Sequence, residues 1–107
     1  MITEEDVQAS VDYLGKTAGE SAQARADRIV LEHGLKRIKA LEMQKVNGGG
    51  VSAAEAKAYA SPAYGEALAG LKEAIFRDEK YRALRDAHAA RIEAWRTQEA
   101  SKRCVRL

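Results

Sequence analysis

Two histidines, His33 and His88, and a single cysteine, Cys104, are the side chains best suited to acid–base, nucleophilic or metal chemistry. A protein-held zinc needs three or four such ligands. Neither histidine has a second histidine or a cysteine three or four residues away. Cys104 stands in a charged tail with no neighbouring base to activate its thiol. Carboxylate pairs such as Glu4-Glu5 and Asp78-Glu79 are common on solvated helices, and catalysis would need a concave, water-excluding site to shift their pKa values. The run Asn47-Gly48-Gly49-Gly50 lacks the Gly-Lys-Ser/Thr of a phosphate loop and reads as a turn. The sequence therefore predicts no catalytic residue, no metal ligand and no cofactor. His88 reads as a hydrogen-bonded, partly buried residue.

A second chemistry is phosphate binding. The formal net charge of +2 is unevenly spread. Residues 1–24 hold Glu4, Glu5, Asp6, Asp12 and Glu20 against Lys16 alone, whereas residues 77–107 hold nine cations against five anions. Arg82, Arg85, Arg96, Lys102, Arg103 and Arg106 are candidate nucleic-acid contacts, with Tyr81 and Trp95 near enough to stack on unpaired bases. Asp86, Glu93 and Glu99 interrupt the strip, and Trp95 lies at core spacing from Ile92, so a solvated face paired with the acidic segment accounts for the same residues.

The elements that would hold these residues are helices. Alanine, leucine and the charged helix formers dominate, with one proline, one phenylalanine and one tryptophan, and alternating β-branched runs are missing. A first helix is predicted over about 3–46, capped by Thr3, with Glu4–Asp6 in its first turn and Lys39 and Lys45 near its end. Val7, Val11, Leu14, Ala18, Ala22, Ala26 and Ile29, then Leu31, Leu35, Ile38 and Leu41, recur in steps of three and four as its packed face. Gly15 and Gly19 either break this helix or let another helix approach closely, and a continuous or kinked helix is the favoured reading. The glycine run ends it. Ser52 to Glu55 forms a capping box for an elbow helix over about 52–60. Ser61-Pro62 then opens a helix over about 62–101, followed by a flexible tail, 102–107. Its face comprises Tyr64, Leu68, Leu71, Ile75, Tyr81, Leu84, His88, Ile92 and Trp95.

The expected fold is all-α: one domain, a long antiparallel helical hairpin of the coiled-coil kind with a short connecting helix. Leu35, Ile38, Leu68, Leu71, Ile75, Leu84, Ile92 and Trp95 are its predicted core or dimer face. Phe76, Val30 and Leu31 widen the apolar faces beyond what one hairpin covers, so a homodimer forming a four-helix bundle is expected. No segment has the length of a membrane span, the acidic N-terminus is not a secretory signal, and a lone cysteine suits a reducing cytoplasm.

Tyr59-Ala60-Ser61-Pro62-Ala63-Tyr64, then Asp78 to Arg85 (DEKYRALR), then Arg91 to Ala100 (RIEAWRTQEA), resemble a family of small phage and prophage proteins with the same tyrosine–proline–tyrosine elbow and Glu-x-Trp-Arg-Thr ending. The likeness covers most of residues 20–103. It implies a phage origin, in a bacterial host and near early gene clusters of recombination and replication, without implying a mechanism or a functional residue. The expected function is a non-enzymatic interaction protein, an accessory or modulator of a phage or host protein. The alternative is a small DNA- or RNA-binding factor using the basic C-terminal helix.

Overall fold

The computed structural model describes residues 1–106, with the side chains of residues 1–105. Three helices follow in order: α1 (Glu4–Gln44), α2 (Gly50–Tyr59) and α3 (Pro62–Arg106), with no strand among the described residues. The fold class is the expected one, two long helices joined through a short one.

Local chemistry explains the boundaries. At the start of α1, the Thr3 N–H donates to Asp6 Oδ2 at 2.9 Å and the Asp6 N–H donates to Thr3 Oγ1 at 3.1 Å, a reciprocal cap. These Thr3 donors hold the Asp6 carboxyl below the usual carboxylate range. The helix is unbroken through Gly15 and Gly19. It closes with three-residue bonds from Lys45 N–H to the Glu42 carbonyl and Val46 N–H to that of Met43, each 3.2 Å. Lys45 lies past the helix and Lys39 a turn before its end, so its last turn carries no cation, contrary to expectation. Gly48, Gly49 and Gly50 take φ of 83°, 87° and 75°, a left-handed backbone that side chains resist. Because this turn is tight, α2 starts at Gly50 with Gly49 as its cap. The Ser52–Glu55 pair therefore lies inside the helix and does not open it. Ser61 does behave as read: its Oγ accepts from the Tyr64 N–H at 3.2 Å and donates to the Ala58 carbonyl at 2.7 Å, and α3 begins at Pro62. The expected tail from residue 102 is corrected: α3 continues to Arg106, since nothing after Ser101 breaks a helix.

The single expected domain divides into two compact units, Met1–Ala22 with Glu79–Leu107, and Gln23–Asp78. In the first, residues of α1 and α3 meet in antiparallel order. Gln98 pairs with Ile2, Arg91 with Asp6 and Ser10, Arg85 with Leu14 and Thr17, and Tyr81 with Glu20. In the second, Asp27 and Arg28 of α1 meet Arg77 and Asp78 of α3, while α2 is tied to α1 by Lys39.

The faces differ from the expected stripes. In α1 the buried residues are Ser10, Thr17 and Ala24, seven apart, while Val11 and Ile29 are 47% and 43% exposed and Ala18, Ala22 and Ala26 face outward. In α3 the covered positions Tyr64, Ala67, Leu71, Ala74 and Asp78 in one unit, and Tyr81, Arg85, His88, Ile92, Trp95, Glu99 and Lys102 in the other, alternate steps of four and three. Of the predicted core, Leu71 is buried and Leu35, Ile38, Ile75, Ile92 and Trp95 are half-buried, whereas Leu68 and Leu84 are exposed. In the first unit Arg85 and Arg91 of α3 occupy the seam, Ser10 and Thr17 of α1 make room for them, and Val11 and Leu84 are turned to the flanks.

Candidate functional site

The residues with the most defined chemistry lie on this polar seam. Ser10 has no exposed surface. Its Oγ accepts from Arg91 Nε at 2.8 Å and lies 2.8 Å from His88 Nδ1. The hydroxyl keeps a second lone pair and its own proton, so it can serve either tautomer of the His88 ring. Tyr13 stacks on the imidazole with ring centres 4.3 Å apart. Arg91 also donates through Nη2 to the Asp6 carbonyl at 2.7 Å. Two turns along, Arg85 Nη1 donates to the Leu14 carbonyl at 2.9 Å and to Thr17 Oγ1 at 2.8 Å. Helical carbonyls keep a second lone pair, which is what lets both arginines dock on α1 backbone.

A serine hydroxyl beside a histidine has the distance of a nucleophile–base pair. Here the Oγ is enclosed on all sides, so no substrate carbonyl can approach it, and the pair instead locks the seam. No buried side-chain nitrogen or oxygen among the described residues lacks a hydrogen bond. The described residues also contain no group of three or more His, Cys, Asp or Glu placed to hold a metal. No described helix is long and apolar enough to cross a membrane.

The candidate nucleic-acid strip is divided between exposed and inward-facing side chains. Arg85 points inward. Arg82 pairs with Glu79 at 3.8 Å, Arg96 with Glu93 at 2.9 Å and Lys102 with Glu99 at 3.1 Å, each one turn away on α3. Arg103 is exposed, and the side chain of Arg106 lies outside the described residues. Trp95 is half-buried, and Tyr81 donates its hydroxyl to Glu20 Oε2 at 2.9 Å. The acidic and basic segments do lie side by side, but the described ion pairs of this unit run within α3. Across the seam its arginines choose carbonyls and hydroxyls over carboxylates.

In the second unit Asp78 is 4% exposed and faces Arg28, whose Nη1 lies 3.1 Å from its Oδ2 and whose Nε lies 3.0 Å from Glu32 Oε1. The elbow is fastened by Lys39, 3.1 Å from Glu55 Oε1 and 4.7 Å from the centre of the Tyr59 ring, which meets Tyr64 edge-on at 5.2 Å. The chain matches no protein-family model, no curated protein and no solved structure.

The sequence reading names Asp78 only as half of a solvated carboxylate pair and does not place Ser10, Thr17 or Arg91 on the seam. The available signal was the seven-residue spacing of Ser10, Thr17 and Ala24 against that of Asp78, Arg85 and Ile92.

Several large apolar side chains are bare. Val30 is 67% exposed, Phe76 69%, Val51 72% and Leu68 49%.

Proposed function

We propose that this chain is a non-catalytic helical interaction protein that works as a dimer and acts as an accessory or modulator of another protein. The phage-type origin implied by its motifs, and a bacterial cytoplasm, belong to the same reading. One observation carries it: hydrogen-bonded polar groups occupy much of the seam, while Val30, Val51, Leu68 and Phe76 stand exposed. Exposed apolar surface of this extent marks association surfaces. Helices covered on one side complete their packing, here of the coiled-coil and four-helix kind, against a partner.

The nucleic-acid reading needs a continuous basic surface, and the pairing of Arg82, Arg96 and Lys102 with glutamates and the inward turn of Arg85 count against it. We expect affinity for single- or double-stranded DNA no tighter than about 10⁻⁴ M at physiological salt, the weak end of non-specific association. Fluorescence anisotropy with labelled oligonucleotides measures it. Submicromolar binding that falls steeply with salt and is lost on changing Arg96, Lys102 and Arg103 to Gln would make this a nucleic-acid factor.

A further inference from the structure

The outward side of α1 carries a charge pattern that the chain itself does not use. From Glu4 to Arg37 a line of residues at steps of four and three shares one face, and every one of them is exposed. The line begins acidic, with Glu4 on it and Glu5 and Asp12 beside it. Its middle is small, with Gly15, Gly19, Ala22 and Ala26. It ends basic, with Arg37 on it and Lys36 beside it. Glu4, Glu5, Lys36 and Arg37 enter no ion pair among the described residues. Gly15 and Gly19 stand in a helix interior, where glycine costs about 1 kcal/mol against alanine. Packing within the chain does not require them, since a Cβ on either would meet no packed atom within 4 Å.

We propose that a second copy of this chain packs on this face, α1 against α1 in antiparallel sense, about a twofold axis between Glu20 and Ser21. This rests on the dimeric reading above and adds its surface. In that register the line meets itself position for position. Glu4 lies opposite Arg37, Gln8 opposite His33, Val11 opposite Val30, Gly15 opposite Ala26 and Gly19 opposite Ala22. Each pairing occurs twice, as a twofold contact requires. The acidic end of one copy covers the basic end of the other, with Glu5 and Lys36 flanking the Glu4–Arg37 pairs. A parallel arrangement would set like charges on like, so the charges choose the direction. In the middle, the facing glycines and alanines let the two helix axes approach to the short end of the usual range of about 8–10 Å. The dimer thus supplies the close approach that Gly15 and Gly19 permit. A partner of one sign throughout, such as an acidic helix or a nucleic acid, would be attracted at one end of the line and repelled at the other.

Light scattering on the full chain and its charge variants tests this. The wild type should run at twice the 11.7 kDa chain mass at micromolar concentration. Glu4→Lys with Glu5→Lys, and separately Lys36→Glu with Arg37→Glu, should each weaken dimerisation at least about tenfold, because each sets like charges face to face. Mixed in equal amounts, the two variants should recover the dimer, since every reversed end then meets its opposite. Gly19→Leu should abolish the dimer by filling the close approach, while the chain keeps its helical circular dichroism, leucine being the better helix former. The mixing decides the matter even if Gly19→Leu fails to fold. Charge variants that dimerise as the wild type does, or that mixing does not restore, would overturn this face and leave dimerisation standing. A wild type of single-chain mass would overturn both.

Discussion

Replacing Arg28 with Met should lower the free energy of unfolding by about 3–5 kcal/mol, because it strands the Asp78 carboxylate inside the protein. The Asp78 side chain is 6% exposed and Arg28, at 27%, supplies the facing guanidinium. A buried ion pair adds little over an apolar pair of similar volume, yet breaking one half leaves a charge that water cannot reach. The double replacement Arg28→Met, Asp78→Leu should therefore recover most of the loss. Urea unfolding followed by far-UV circular dichroism measures both. A single replacement costing under about 1 kcal/mol, or a double replacement no better than the single, would show that this pair does not sit in a water-excluded seam.

The second large effect is a contrast between two leucines. Leu71 is 7% exposed and Leu84 39%. Leu71→Ala should cost roughly 2–5 kcal/mol through lost burial and the cavity it leaves. Leu84→Ala should cost less, about 1 kcal/mol, because over a third of the residue was already in water. Both lie on the face that apolar spacing alone would bury, so equal losses would restore that face and refute the polar seam.

The contrast shows where sequence reading works on this chain. Boundaries set by local chemistry were legible: the Thr3 cap, the Ser61-Pro62 restart and the glycine turn depend on residues within a few positions. The fold class was legible from composition. Which side of α1 faces inward was not. Val7, Val11, Ala18 and Ile29 run at helical steps, and so do Ser10, Thr17 and Ala24. The choice between them is made by Arg85 and Arg91, 71 and 85 residues away, through bonds to the carbonyls of Leu14 and Asp6. A seam selected by distant guanidinium groups leaves no apolar pattern in α1 to read. Ser52 and Glu55 fail for a related reason: the box is present, but the three left-handed glycines start the helix before it. For the basic strip, charge count was legible and direction was not, since Arg85 turns inward while Arg82, Arg96 and Lys102 are matched by glutamates one turn away.

The central claim is that a chain with polar groups along its seam and several large apolar side chains left bare completes its fold by association. Thermal unfolding followed by far-UV circular dichroism across about a hundredfold range of protein concentration tests this most directly, since association of folded chains ties the midpoint to mass action. The account predicts a Tm that climbs steadily with concentration. A Tm unchanged over that range, with a cooperative transition at every concentration, would show a chain stable alone and would contradict it.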